Sequence, residues 1–287
     1  MSSLGGRLAV VVLTHNRAPE LRRTLAALLA LPEKPEIVVV DNASSDGTAA
    51  MLGRDFPEAK LVALERNIGA AGRNIGVQQV TTPYVAFCDD DTCWSPGALT
   101  TAAALLDQYP RVAVLCARVL VGRDMREDPT CAVMAESPLP AEGLPGPSLL
   151  GFLAGACVMR RQAFLDARGY EPNFFIGGEE ALLSLDLVSA GWRIVYAPCL
   201  TVHHHPSANR DGNARRLFLL RNGIWIAWMR LPLACAARET ARLCRQAHQG
   251  RILGATLATA VCGLPWILKK RRVISDEIAG FYRMVRR

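Results

Sequence analysis

Five short apolar runs, separated by helix-like stretches, constrain this chain more than any other feature. They are Leu8–Leu13, Glu36–Val40, Lys60–Leu64, Tyr84–Cys88 and Val112–Ala117. Their apolar character is continuous rather than alternating, and most are rich in β-branched residues. Leu8–Leu13 and Glu36–Val40 therefore read as strands covered on both faces, and the other three read as strands. Between them, Pro19–Leu31 carries Leu21, Leu25, Leu28 and Leu29 at helical spacing, and Pro96–Gln108 also reads as a helix. Such a β-α-β-α series predicts an α/β fold with a mostly parallel twisted sheet and helices on both faces. Glu180–Ala190 is a further helix and Arg193–Tyr196 a further strand. The Pro- and Gly-rich stretch 122–148 predicts a long loop, and from Arg215 onward the pattern is helical and amphipathic.

The polar clusters sit where the strands end. Thr14-His15-Asn16-Arg17, Asp41 to Thr48, and Asp89-Asp90-Asp91 each follow a buried run. In parallel sheets, ligands bind beyond the carboxyl ends of the strands, so all three clusters are expected at one edge. Read alone, three consecutive carboxylates make a solvated turn. At the end of a buried strand they suit a divalent cation, which takes hard oxygen ligands and leaves positions for phosphates. Asp41 can cap a turn or accept hydrogen bonds from a base or a ribose, whereas Asp46 suits capping alone. Asn67-Ile68-Gly69 with Arg73 and Asn74 is a tight turn that can also cradle a pyrophosphate. Glu179-Glu180, after Gly177-Gly178, either favours a helix N-terminus or supplies a general base. One of His203-His204-His205 is a candidate metal ligand, against the reading of a surface turn.

The chain has 287 residues and a formal charge of +7. The positive excess would fit nucleic acid, an anionic membrane surface or an anionic small substrate. No zinc-finger spacing or basic-aromatic repeat is present, so no nucleic-acid partner is expected. Much of the charge lies late, in Arg238–Arg251, Lys269–Arg272 and Arg283–Arg287. The uncharged Ile252–Leu268 lies between basic residues and is interrupted by Gly254, Gly263 and Pro265. It suits a helix lying on a membrane at least as well as one crossing it. The nine cysteines form no CxxC pair and read as small buried hydrophobes in a reducing cytosol. The N-terminus has no secretory-leader pattern. These features predict a cytoplasmic protein at the inner face of the cell membrane.

VVLTHNR, VVVDNASSDGT, NIGAAGRNIG, FCDDD, FIGGEE and HHHPS with a later LLRN, in that order, resemble the inverting glycosyltransferase family 2 with its GT-A fold. Within it, the last two motifs resemble a rhamnosyltransferase or galactofuranosyltransferase branch. The resemblance implies a glycosyltransferase domain over 1–225 and an amphipathic helical tail over 226–287. It implies nucleotide-sugar binding through Thr14, Asn16, Arg17, Asp41, Asn67 and Asp89, beside which Arg73 of the glycine turn and Asp90 of the acidic triplet are further candidates for the same subsite. It implies Mg2+ or Mn2+ at Asp91 with His204 or His205, and a catalytic carboxylate at Glu180, with Glu179 beside it. The family's usual pair there is Glu-Asp, where this chain has Glu-Glu, and its following helix commonly carries arginine where this chain has Asp186. The expected reaction moves a sugar from a nucleotide-sugar to a glycan or lipid-linked acceptor by single displacement, for cell-envelope polysaccharide. The competing readings are a non-catalytic nucleotide-sugar-binding subunit and a nucleotidyltransferase. The latter normally has a glycine-rich basic loop after the first strand, where this chain has Thr14-His15-Asn16-Arg17.

Overall fold

The computed structural model describes residues 4, 6–207 and 212–286; Arg287 of the last basic cluster lies outside them. The first half comprises β1 (Leu8–Thr14), α1 (Ala18–Leu29), β2 (Glu36–Asp41), α2 (Thr48–Asp55), β3 (Lys60–Ala63), α3 (Gly72–Gln78), β4 (Tyr84–Asp89), β5 (Thr92–Trp94) and α4 (Ala98–Gln108). The middle comprises β6 (Val112–Val121), β7 (Arg126–Glu127), α5 (Pro129–Ala135), β8 (Ser148–Leu149), β9 (Ala156–Arg160), α6 (Arg161–Asp166), α7 (Glu179–Ser189) and β10 (Arg193–His204). Five helices follow: α8 (Gly212–Arg230), α9 (Leu233–Gln249), α10 (Leu253–Cys262), α11 (Leu264–Lys269) and α12 (Asp276–Met284).

The strands form one sheet in the order β3-β2-β1-β4-β9-β6-β10-β5, with β7 on β6 and β8 on β10. β3, β2, β1 and β4 pair in parallel, as do β6 and β10. β9 runs antiparallel between β4 and β6. Residues Leu8–Val12 and Ile37–Asp41 are buried, as expected for strands covered on both faces. The register sets Thr14 opposite Asp41 and Leu13 opposite Asp89. The polar strand ends are therefore immediate neighbours on one edge, as the alternating pattern predicts.

Three features differ from the sequence reading. The 122–148 loop contains β7, α5 and the start of β8. β10 continues past Tyr196 to His204, so two of the three histidines are strand residues. β5 turns back directly after the acidic triplet and pairs antiparallel with the end of β10, setting Thr92 opposite His204. A three-residue strand is too short to leave a periodic signal.

The C-terminal helices share the main core. The division at 225 falls inside α8, and Trp225 packs edge-on against Trp266 of α11 at 5.2 Å. Ile267, Ile274 and Ile278 are buried in the same cluster as the sheet. Ile252–Leu268 breaks at Gly263 into α10 and α11. Among the described residues, no helix is long and apolar enough to cross a membrane.

Candidate active site

A cavity of about 330 Å³ opens at the carboxyl edge of the sheet. Its walls include Thr14, Arg17, Asn67, Arg73 and the three aspartates on one side, and Glu179, Glu180 and Arg215 on the other. Of the eight nucleotide-sugar candidates, Thr14, Arg17, Asn67, Arg73, Asp89 and Asp90 line this cavity, and Asn16 and Asp41 are adjacent in sequence to residues that do.

The triplet divides by role. Asp89 pairs with the buried Arg73, whose guanidinium also lies 5.6 Å from the centre of the Phe87 ring. Asp90 accepts from Thr14 Oγ1 at 3.0 Å and from Arg17 at 3.0 Å, and its backbone carbonyl accepts from Thr24 at 2.8 Å. Burial pushes the Asp90 carboxyl up to about 6; Arg17 opposes this, and Asp89 and Asp91 add to it. Asp91 is buried, with Arg17 at 3.5 Å from Oδ2 and His204 Nε2 at 3.6 Å from Oδ1.

The other two histidines of the triplet make different contacts. His203 shares a 2.8 Å hydrogen bond with Ser95. His205 donates its backbone N–H to the Asp91 carbonyl and lines a second depression together with Asp91, Glu20 and Arg123. Among the described residues, no three His, Cys, Asp or Glu side chains come together as a full ligand set for a metal. Asp91 and His204 offer one carboxylate and one imidazole on adjacent elements. That donor pair fits a divalent cation completed by phosphate oxygens and water.

Asp41, Asn16 and Asp46 shape the rim. Asp41 is buried and accepts from Ser44 N at 3.0 Å, while Asn16 Oδ1 accepts from Ser45 N at 2.7 Å. Neither lines the cavity itself. Asp46 caps two elements, accepting from Ala18 N and Thr48 N. Asn67 lines the cavity and accepts from Gly69 N at 2.9 Å.

Glu179 and Glu180 open α7 on the opposite wall. Gly177 and Gly178 before them have φ of 87° and 91°, a left-handed backbone that favours glycine. Glu179 is buried, and its Oε2 has no hydrogen-bond partner among the described residues. Burial, and then Glu180, push Glu179 up to about 8. Burial raises Glu180 as well, with Arg73 and Arg215 opposing. The two carboxyls titrate as a pair that retains a proton well above the ordinary carboxylate range.

Sequence reasoning passed over several residues that build this site. Asn42 donates to the Gly69 carbonyl at 2.9 Å and accepts from Ile68 N, tying the end of β2 to the glycine turn. At Gly69 itself, a Cβ would collide with the Phe175 carbonyl. Fully buried Asn222 of α8 donates to the carbonyls of Phe174 at 3.0 Å and Ile176 at 3.1 Å, and also to Gly177. It fixes the loop that presents the two glutamates. Asp186 is held by Arg230, also of α8, through a paired contact that includes a 2.9 Å hydrogen bond. The charge that steadies α7 thus arrives from α8. Asn222 lies in the Leu219-Leu220-Arg221-Asn222 motif, which was a usable signal; Arg215 and Arg230 carried none.

The family model "Glycosyl transferase family 2" matches residues 9–169, more than half of the chain. The chain belongs to glycosyltransferase family 2. It is 23% identical over 282 residues to the N-acetylglucosaminyl-diphospho-decaprenol L-rhamnosyltransferase of Mycobacterium tuberculosis, covering 82% of this chain and 91% of that one. It is 30% identical over 230 residues to the pre-mycofactocin glycosyltransferase of the same organism, covering 74% of this chain but 45% of the longer relative. Its fold is that of GT-A glycosyltransferases. S. aureus TarS 1-349 in complex with UDP-GlcNAc superposes with a TM-score of 0.67 at 17% identity, over 93% of this chain and 82% of that one. The mannosyltransferase PcManGT of Pyrobaculum calidifontis, in complex with GDP-Man and Mn2+, gives 0.60 at 19% identity, over 92% and 83%. Another solved S. aureus TarS chain is longer, and this family member spans 39% of it. This family 2 enzyme therefore carries its acidic triplet and its paired glutamates in the lining of one cavity of the GT-A fold.

Proposed function

We propose that this glycosyltransferase binds a nucleotide-sugar with a divalent cation and transfers the sugar, with inversion, to a lipid-linked acceptor. The observation that carries the reading is the pairing of two acidic groups across one cavity: Asp91 with His204 on one side, Glu179 with Glu180 on the other. Thr14, Arg17, Asn67 and Arg73 would hold the nucleotide and sugar, with Asp41, Asn16 and Asp89 shaping or reaching that subsite. Asp90 would serve the same subsite by anchoring Thr14 and Arg17.

Asp91 and His204 would hold Mg2+ or Mn2+, which neutralises the charge of the departing diphosphate when bound. His205 would support this pair through its backbone contact to Asp91. At neutral pH the retained proton would reside on Glu179, leaving Glu180 ionised between Arg73 and Arg215. Glu180 would take the proton of the acceptor hydroxyl as that oxygen attacks the anomeric carbon. The bond from the anomeric carbon to the diphosphate oxygen breaks, and the nucleoside diphosphate leaves with the electron pair. The name of the mycobacterial rhamnosyltransferase supports a rhamnose-type donor and an N-acetylglucosaminyl-diphospho lipid acceptor; a product in cell-envelope polysaccharide is part of this proposal.

Thermal-shift measurements with nucleotide-sugars, with and without Mn2+, test the donor reading, because a ligand of the native state raises its melting point. At 100 times Kd the expected stabilisation is about 2.7 kcal/mol. If none of the hexose and deoxyhexose nucleotides shifts the transition, the donor reading fails.

The same reading locates the enzyme at the cytoplasmic face of the membrane, through the C-terminal helices. Leu257, Val261, Leu264 and Leu268 recur at helical spacing across α10 and α11 and are 40%, 59%, 39% and 61% exposed. Arg251, Lys269 and Lys270 flank this stripe. An apolar stripe with basic ends suits an anionic bilayer surface. Co-sedimentation with phosphatidylglycerol vesicles should fall at least tenfold in Leu264→Glu/Leu268→Glu. Unchanged sedimentation of that variant would remove the tail from the membrane-contact surface.

A further inference from the structure

We propose that a groove behind the base helix binds the hydrocarbon chain of the acceptor; this rests on the lipid-linked acceptor reading above. The groove has a volume of about 520 Å³, larger than the donor cavity. Its walls are mainly aliphatic and include Val133 of α5, Leu150, Leu153, Leu185 of α7, Ile226 of α8 and Met284 of α12. The volume lies within the usual range of about 300–1,000 Å³ for small-molecule sites, which are largely apolar with few polar groups.

Two chain segments connect the groove to the donor cavity. Ala181 lines the groove, and its neighbour Glu180 lines the cavity. Leu153 lines the groove, and its neighbour Ala154 lines the cavity. The two spaces thus lie on either side of the first turn of α7. Charge divides between them in the same way. Arg215 stands at the cavity end, while in the groove Arg286 is 3.7 Å from Glu239 and Glu136 is exposed to solvent. This distribution complements an amphiphile with an anionic diphosphate head at the cavity and an uncharged tail in the groove. The rim carries apolar side chains in water, with Val133 71% and Met284 46% exposed. Covering such a patch with an isoprenoid chain removes them from solvent.

The test uses a benzophenone-tagged farnesyl diphosphate as photoprobe, with labelled peptides located by mass spectrometry. The expected labels fall in 129–153 and 276–286. Val133→Asp/Met284→Asp should cut labelling at least tenfold, whereas Val133→Ile should retain it. Both substituted positions are largely solvent-facing, and an unchanged melting temperature verifies the fold. Nucleotide-sugar thermal shifts should match the parent enzyme in both variants. Equal labelling of the aspartate variant, or labels confined to α10 and α11, would overturn the groove assignment. A parent enzyme that shows donor shifts but no groove labelling loses only this proposal. One that shows no donor shifts loses the functional reading beneath it.

Discussion

Glu180→Gln is expected to lower the transfer rate by roughly 10²–10⁴-fold, the range for loss of a positioned general base. Donor binding should survive, because glutamine keeps the size of the side chain at the far wall of the cavity. The split is read by comparing kcat with the donor-induced thermal shift. A variant whose kcat equals that of the parent enzyme would rule out Glu180 as the base. The pH profile supplies a second readout. Burial raises both carboxyls; Glu180 adds to the rise of Glu179, which reaches about 8, and Asp89 adds to that of Glu180. Folding therefore retains a proton that an unfolded glutamate releases near 4.5. Between those values the unfolded chain binds fewer protons, so the ligand-free enzyme should lose stability as pH rises from about 4.5 to about 8. Glu180→Gln removes one charge of the pair and should flatten that slope. A variant with the same pH dependence of melting as the parent would refute the coupled-pair account.

Asp91→Asn is expected to reduce transfer by roughly 10²–10³-fold, the scale for losing one group that stabilises charge in the transition state. The carboxylate is buried, faces His204 at 3.6 Å and Arg17 at 3.5 Å, and lies at the turn between β4 and β5. Asparagine preserves the shape but removes the anionic oxygen a divalent cation would take. The variant should therefore bind nucleotide-sugar equally well with or without Mn2+, whereas the parent enzyme should bind more tightly with it. Isothermal titration of a nucleoside diphosphate in the presence of Mn2+ or EDTA measures this directly. Full parent activity in EDTA would defeat the metal assignment, and the Arg17 and Arg73 cations would then have to carry the diphosphate charge alone.

Local pattern was sufficient for much of this architecture. Short continuous apolar runs between turn residues suit strands covered on both faces, and each of the first, second and fourth ends in a polar cluster. Parallel pairing then brings those ends to one edge, as the Thr14–Asp41 and Leu13–Asp89 register confirms. The candidate residues of the first wall were legible for that reason. The second wall was legible only in part. Glu179-Glu180 followed a glycine pair, a local sign, but their orientation depends on Asn222 reaching three carbonyls from a helix well downstream. Asp186, where the family commonly has arginine, reads as lost support until Arg230 is seen beside it.

Local sequence was enough for the parallel strands β1 to β4, the edge on which chemistry can occur and the carboxylates that reach it, because strand burial and strand ends are set by neighbours in the chain, whereas the antiparallel β9 between β4 and β6 left no such mark. Tertiary structure decided which histidine faces Asp91, how the paired glutamates are held, and where the aliphatic groove lies. Those outcomes follow from the antiparallel return of β5 onto β10 and the packing of α8 and α12 against α7. Such contacts join segments far apart in the chain, and no periodicity within either segment encodes them.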